Sequence, residues 1–119
     1  MKAGDVYWVD FPPRGGREQA GKRPAIVFQG TSASASLPTV LCVPLTSQLE
    51  AMRFPGTVLV ESDAANGLRR VSVALVFQLT AIDRRNISLP LGSVSPSVMA
   101  GIWQALDELG ERAAPPIKP

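Results

Sequence analysis

Basic side chains cluster in a glycine-rich segment near the start of the chain. This segment, residues 12–23, holds four basic residues and one acid: Arg14, Arg17, Lys22, Arg23 and Glu18. A positive, flexible loop can close over a phosphate backbone and hold a single strand of nucleic acid. A solvent-exposed hairpin without a ligand explains the same composition, so the segment alone leaves both interpretations open. Arg23 carries the stronger signal, because the rigid backbone of Pro24 would direct its side chain.

Two hydroxyl side chains follow the most apolar stretch of the sequence. Residues 39–45 read as a buried strand, and Thr46 and Ser47 come directly after it. Hydroxyl groups at the mouth of a sheet can donate hydrogen bonds to a phosphoryl oxygen as negative charge develops there. The same pair is also typical of an ordinary turn. Arginine, hydroxyl and carboxylate groups are therefore the candidates for chemistry.

The composition excludes several other kinds of site. The 119 residues include no histidine and a single cysteine, Cys42. The chain therefore cannot form a Ser-His-Asp triad, a Cys/His zinc site or an internal disulfide, and we expect neither a metal nor a cofactor. Twelve basic residues against ten acids give a net charge of only +2, which does not by itself indicate a nucleic-acid-binding protein.

The length and the hydrophobic pattern indicate one mainly β domain with a late helix. We expect a single domain over residues 1–112 and a flexible tail over residues 113–119. Ser95 is a good N-cap, Pro96 suits the first helical position, and apolar residues at helical spacing continue to a closing Gly110. Residues 31–38 read as a mobile loop and residues 80–86 as irregular. Strands are predicted over residues 5–11, 23–28 and 39–45, with a hairpin of residues 56–61 and 70–79 around an Asn66-Gly67 turn.

Two side chains of the predicted helix have both a structural and a functional interpretation. Met99 and Trp103 lie one helical turn apart and form a patch that suits core packing, a partner groove or a dimer contact. Cys42 lies within an apolar run and is expected to be an inert core residue.

Five segments in order along the chain resemble the MazF/PemK toxin family. They are residues 4–13, 16–27, 43–47, 73–78 and 91–96, with Glu18-Gln19-Ala20-Gly21-Lys22-Arg23-Pro24 as the most specific string. The resemblance implies a small SH3-like barrel with a C-terminal helix that forms a homodimer. It implies a sequence-specific, metal-independent endoribonuclease acting on single-stranded RNA, and a cognate antitoxin as partner.

The resemblance also implies which side chains act. By matching position, Arg23 and Thr46 are the catalytic pair, and Glu18 belongs to the same functional loop as a candidate base or as the group that orients Arg23. The reaction is attack of a ribose 2′-hydroxyl on the neighbouring phosphate, which leaves a 2′,3′-cyclic phosphate and a 5′-hydroxyl. The expected RNA-binding residues are Arg14, Arg17, Gln19, Lys22, Ser47, Phe77 and Gln78.

One departure from the family pattern leaves two alternatives open. Many relatives carry an acid directly before the glutamine of the fifth strand, and some carry an arginine two residues earlier, where this chain has Phe77 and Leu75. The first alternative is a catalytically weakened RNA- or antitoxin-binding relative. The second is a gyrase poison on a similar fold, which the ending Pro-Pro-Ile-Lys-Pro disfavours because such toxins end in an aromatic-Gly-Ile sequence.

The hydropathy pattern gives an expectation for location. The N-terminus lacks the apolar stretch of a signal peptide, and the longest apolar run is far below the ~20 residues that span a bilayer. We therefore expect a cytoplasmic protein without a membrane segment.

Overall fold

Seven strands and two helices build the described part of the chain. The computed structural model describes residues 1–13 and 21–112. The strands are β1 (Asp5–Phe11), β2 (Gly21–Val27), β3 (Thr39–Thr46), β4 (Thr57–Val60), β5 (Ser72–Leu75), β6 (Thr80–Asp83) and β7 (Ile87–Ser93). The helices are α1 (Thr31–Ser36) and α2 (Pro96–Leu109), and short 3-10 helices cover Leu49–Arg53, Val76–Gln78 and Arg84–Asn86.

All strand pairs are antiparallel. The strand order is β4-β5-β3-β2-β1-β7, and β6 pairs with β3 beside this path. The sheet is not closed, because β4 and β7 form the two ends of the path and are not neighbours. The mainly β fold with a C-terminal helix confirms the predicted fold class. The prediction of a single domain over residues 1–112 stays a prediction, and the proposed tail lies outside the described residues.

The central strands are buried on both faces. In β2, Ile26 contributes to the core beneath α2, whereas its neighbour Val27 contributes to a second cluster with Val40 and Ile82. Alternate residues of a strand point to opposite faces, so adjacent buried residues require cover on both sides. This explains why residues 39–45 form a nearly continuous apolar run. The predicted core position of Cys42 is confirmed, since its side chain is fully buried in the second cluster.

The C-terminal helix has the predicted bounds. The Ser95 hydroxyl oxygen accepts a hydrogen bond from the backbone N–H of Val98 (3.3 Å), and the N–H of Gly110 closes the helix on the Leu106 carbonyl (3.0 Å). Ile102 and Ala105 are the buried residues of this helix. Met99 and Trp103 do not form one continuous patch, because Met99 packs against the core and Trp103 is 54% exposed. The Trp103 ring lies 4.8 Å from the ring of Phe28, measured between centroids.

Four stretches differ from the sequence prediction. Residues 31–36 form a helix and not a mobile loop, because the buried Gln29 side chain bonds to Ser34 and to the backbone of both Thr39 and Leu41. Residues 80–83 form a strand and not an irregular segment, because they pair with residues 39–42 of β3. The strand predicted over residues 70–79 is confined to Ser72–Leu75. The strand β7 was not predicted.

Candidate active site

Strands β2 and β3 separate at the point where two of the predicted catalytic residues lie. The two strands pair through Val27 with Cys42, Ile26 with Val43 and Ala25 with Pro44. Two further steps in this register would place Arg23 opposite Thr46, but there β3 pairs instead with β5. Residues opposite each other in an antiparallel pair point to the same face. A cleft opens where the β2–β3 pairing ends, and both Arg23 and Thr46 line it.

Arg23 is a partly buried cation in this cleft. Its Nε atom is buried away from solvent, and burial lowers the pKa of the guanidinium from its ordinary value of 12.5. A guanidinium remains charged at neutral pH even so. Since water is partly excluded around it, its charge acts more strongly on a nearby anion than it would at the protein surface.

The Thr46 hydroxyl forms a hydrogen bond with the backbone of Gln48. The side chain is only 7% exposed, and its hydroxyl oxygen accepts a hydrogen bond from the backbone N–H of Gln48 (3.2 Å). The O–H bond of the same group then points away from that amide. The proton of the hydroxyl is therefore left for another acceptor, and a phosphoryl oxygen bound in the cleft could serve as one.

A braced loop between β4 and β5 forms another wall of the cleft. The buried side-chain oxygen of Asn66 accepts hydrogen bonds from the N–H groups of Asp63 (3.1 Å) and Leu68 (3.0 Å), and its amide donates to the Glu61 carbonyl (2.8 Å). Gly67 has a φ of +70°, and a Cβ there would lie 2.2 Å from the Leu91 carbonyl oxygen of β7. The close contact between loop and strand therefore requires glycine, in agreement with the predicted Asn66-Gly67 turn.

The cleft combines positive charge with apolar surface. It has a volume of about 510 Å³, and none of the described side chains that line it is acidic. Its basic lining consists of Lys22, Arg23, Arg69 and Arg70, and its apolar lining includes Trp8, Leu45, Leu68 and Leu91. Phosphates fit the first surface and nucleobases fit the second. Arg69, Arg70 and Trp8 were not predicted as site residues, although two adjacent arginines follow the Asn66-Gly67 turn in the sequence.

The structure brings together four of the residues predicted to act on RNA. Lys22, Arg23, Thr46 and Ser47 all line the cleft. Phe77 and Gln78 do not line it; Phe77 lies against Phe54, with ring centroids 5.7 Å apart. The remaining predicted residues, Arg14, Arg17, Glu18 and Gln19, lie outside the described residues.

Residues 1–13 and 21–112 contain neither a group of metal-ligating side chains nor a membrane-spanning helix. In this part of the chain, no three His, Cys, Asp or Glu side chains are grouped so that they could hold a metal ion. No helix within the same ranges has the length and apolar character needed to cross a bilayer.

Solved toxin structures share this fold. The crystal structure of MazF from Deinococcus radiodurans matches with a TM-score of 0.78 at 26% identity, covering 93% of this chain and 96% of that chain. A MazE–MazF crystal structure from the same organism matches with a TM-score of 0.70 at 26% identity, covering 95% and 97%. The fold is therefore that of a MazF-type toxin.

Sequence comparisons agree with the fold. Endoribonuclease EndoA of Bacillus subtilis is 33% identical over 107 residues, which cover 89% of this chain and 90% of the relative. Endoribonuclease MazF of Staphylococcus epidermidis is 31% identical over 107 residues, covering 90% and 88%. The family model for the PemK-like, MazF-like toxin of type II toxin-antitoxin systems matches residues 2–109. The chain belongs to this family, as its motifs predicted.

Proposed function

We propose that this protein is the toxin of a type II toxin–antitoxin pair and that it cleaves single-stranded RNA in a sequence-specific, metal-independent reaction. The observation that carries the proposal is the placement of Arg23 and Thr46 in one cleft without a described acidic side chain. The relatives from Bacillus subtilis and Staphylococcus epidermidis are endoribonucleases, and they align with nine-tenths of this chain. Members of the family are toxins of such pairs.

The proposed reaction is an internal transesterification. The ribose 2′-oxygen forms a bond to phosphorus, the bond from phosphorus to the 5′-oxygen breaks, and the products are a 2′,3′-cyclic phosphate and a 5′-hydroxyl. One proton leaves the 2′-hydroxyl and one reaches the departing 5′-oxygen. Negative charge gathers on the non-bridging oxygens in the transition state, so groups that bind it more tightly than the ground state accelerate the reaction.

Arg23 and Thr46 supply that stabilisation in our proposal. Arg23 acts mainly through its fixed charge, since a guanidinium rarely gives up its proton. Thr46 acts as a hydrogen-bond donor, in the orientation that the Gln48 amide leaves open. Glu18 is proposed as the base that takes the 2′-hydroxyl proton or as the group that orients Arg23.

The proposed RNA contacts extend beyond the reacting phosphate. Lys22 and Ser47 line the cleft beside the catalytic pair. Arg14, Arg17 and Gln19 belong to the glycine-rich segment next to β2 and keep their predicted role. Phe77 and Gln78 lie outside the cleft lining, so a contact with them requires RNA that continues past the cleft. Phe77 is 39% exposed and can offer a ring face for stacking.

We further propose that the toxin forms a homodimer and acts in the cytoplasm, where messenger RNA and the antitoxin are present. Exposed apolar side chains in and beside β4 suit a second copy of the chain: Met52, Phe54 and Leu59 are each 42–44% exposed. Large exposed apolar patches are typical of interaction sites. Sedimentation should give twice the monomer mass of 12.6 kDa, and a monomer at working concentration would contradict the dimer.

End analysis of cleaved RNA tests the proposed activity. The purified protein is incubated with a long single-stranded RNA in the presence and absence of EDTA, and the ends of the products are sequenced. We expect cleavage at a recurrent short sequence in both conditions, with cyclic phosphate and 5′-hydroxyl ends. Products with 5′-phosphates, or activity lost on chelation, would contradict the mechanism. Intact RNA would favour the weakened RNA- or antitoxin-binding relative.

A further inference from the structure

The cleft is larger than one reacting phosphate requires. Its volume of about 510 Å³ falls within the range of roughly 300–1,000 Å³ that is typical of sites for small organic ligands. Arg23 and Thr46 account for only one part of the lining, where β2 and β3 separate. The remaining lining has a basic part and an apolar part that the catalytic pair does not use.

The unused basic part consists of Arg69 and Arg70. Both side chains are exposed, and neither forms an ion pair within the described ranges, where the ion pairs are Arg85 with Asp83 and Arg112 with Asp107. Two adjacent cations without a neutralising acid favour an anionic ligand. Within the described residues, no ion pair of the fold therefore involves these two charges.

The backbone around these arginines is fixed before any ligand binds. Asn66 is only 2% exposed and bonds to three backbone groups of the same loop. The N–H of Ser93 in β7 donates to the Ala65 carbonyl (2.8 Å), which ties the loop to the sheet. A ligand that binds Arg69 and Arg70 therefore does not have to order the loop, and less binding energy is lost.

The unused apolar part includes Trp8. This residue belongs to β1 and is 37% exposed, and its backbone carbonyl accepts a hydrogen bond from the Ser88 hydroxyl (3.2 Å). An exposed aromatic face on a rigid strand, inside a cationic cleft, is the arrangement that binds the bases of single-stranded nucleic acids by stacking.

We propose that the cleft holds a second nucleotide next to the reacting phosphate, with its phosphate bound by Arg69 and Arg70 and its base stacked on Trp8. This inference rests on the proposed ribonuclease function and specifies how the substrate is held. An acidic peptide would also be attracted by the arginines. RNA is favoured because a phosphate and a flat base recur in every nucleotide, which matches a pair of cations next to an exposed indole within one cleft.

Binding of a non-cleavable RNA tests the arginines. The probe is a 2′-O-methyl RNA of mixed sequence, which lacks the attacking hydroxyl. We expect the Arg69→Ala/Arg70→Ala double variant to lose about 10- to 100-fold in affinity near 0.1 M salt. The slope of log affinity against log salt should decrease by about 0.7, the value for one lost phosphate contact to a single strand. The Arg69→Lys/Arg70→Lys variant, which keeps both charges, should retain most of the wild-type slope.

Arg85→Ala is the matched control for these variants. Arg85 is also exposed, and Asp83, its ion-pair partner, lies opposite Thr39 at the far end of β3 from Thr46. We expect wild-type affinity and slope from this control. Circular dichroism verifies that each variant is folded. We expect native spectra, because Arg69, Arg70 and Arg85 are all exposed.

Fluorescence tests the contact with Trp8. The chain has two tryptophans, so a Trp103→Phe variant leaves Trp8 as the single indole. RNA should quench its emission, and Trp8→Leu should weaken RNA binding by about 10-fold or more.

The outcomes separate this inference from the proposed function. If wild type neither binds nor cleaves RNA, both are wrong. If wild type cleaves RNA in an Arg23-dependent way but the double variant keeps wild-type affinity and salt slope, only the second nucleotide site is overturned. Loss of antitoxin binding with unchanged RNA binding would likewise overturn it and assign the arginines to the protein partner.

Discussion

Arg23 and Thr46 lie on neighbouring strands at positions that would face each other if the β2–β3 pairing continued for two more residues. The strands separate instead, and both side chains line the resulting cleft. A missing stretch of strand pairing thus creates the space in which a phosphate can reach both groups. Because each residue belongs to a regular strand, the fold fixes their positions before substrate binds, as electrostatic stabilisation of a transition state requires.

Thr46→Val should separate the hydroxyl's chemistry from its packing. The substitution keeps the branched shape and removes the donor, so we expect a loss of about 10²- to 10³-fold in single-turnover RNA cleavage. Thr46→Ser retains a hydroxyl and should stay within about 10-fold of wild type. Equal rates for the valine and serine variants would show that the hydroxyl does not take part.

Gly92→Ala should destabilise the wall of the cleft. A Cβ at Gly92 would lie 2.1 Å from the Ala65 carbonyl oxygen, and the obstacle is backbone that cannot rotate away. We expect a loss of about 1–3 kcal/mol in the free energy of unfolding, measured with urea. Cleavage should also weaken, because the displaced loop carries Arg69 and Arg70.

Gly30→Ala is the control for the Gly92 prediction. A Cβ at Gly30 would meet nothing within 4 Å, and its φ of −70° suits any residue. Its effect on stability should stay within about 1 kcal/mol. Similar losses at both glycines would contradict the close contact between the loop and β7.

The Cys42 thiol should be inert in the folded protein and should make stability depend on alkaline pH. Burial raises its pKa from 9.0 to about 12. The folded state therefore keeps the thiol neutral, and this stabilisation is complete below pH 9 and is lost as pH rises toward 12.

Two measurements check the Cys42 prediction. At pH 8 a disulfide reagent should react with one thiol after unfolding in urea and with none before it. The free energy of unfolding should decrease by up to about 1.4 kcal/mol per pH unit above pH 9, and Cys42→Ala should lack this component. A native thiol that reacts at pH 8 would show that the site is open to solvent.

Local sequence signals predicted the elements whose stability is itself local. The helix α2 begins and ends as its Ser95 cap and Gly110 indicate. Strand β1 has its predicted bounds, because the alternating apolar and aromatic residues of this segment indicate a strand without reference to the rest of the chain. The helix α1 was missed because residues 31–36 carry no apolar pattern, and the buried Gln29 side chain that contacts Ser34 also bonds to Thr39 and Leu41, up to twelve positions away.

Sequence motifs identified some residues of the site, whereas residues brought together by long-range contacts were not predicted. Arg23 and Thr46 were identified by resemblance, and the fold places them in one cleft. Arg69 and Arg70 were missed because their proximity to Arg23 depends on long-range contacts of the β4–β5 loop with β7. Trp8 was missed because it has the sequence pattern of an ordinary strand residue, although the β1–β2 pairing places it opposite Pro24, next to Arg23. No local pattern reports the hydrogen bond between Ser93 and Ala65 that holds this loop in place.

The most direct test of the account is the single-turnover rate at which Arg23→Ala cleaves RNA in the presence of EDTA, measured against wild type and with Arg85→Ala as a folded control of equal charge. We expect wild type and Arg85→Ala to cleave at similar rates and to leave 5′-hydroxyl ends. Arg23→Ala should be slower by about 10²- to 10³-fold while its circular dichroism remains native. An Arg23→Ala rate equal to that of wild type would contradict the central role of this cation.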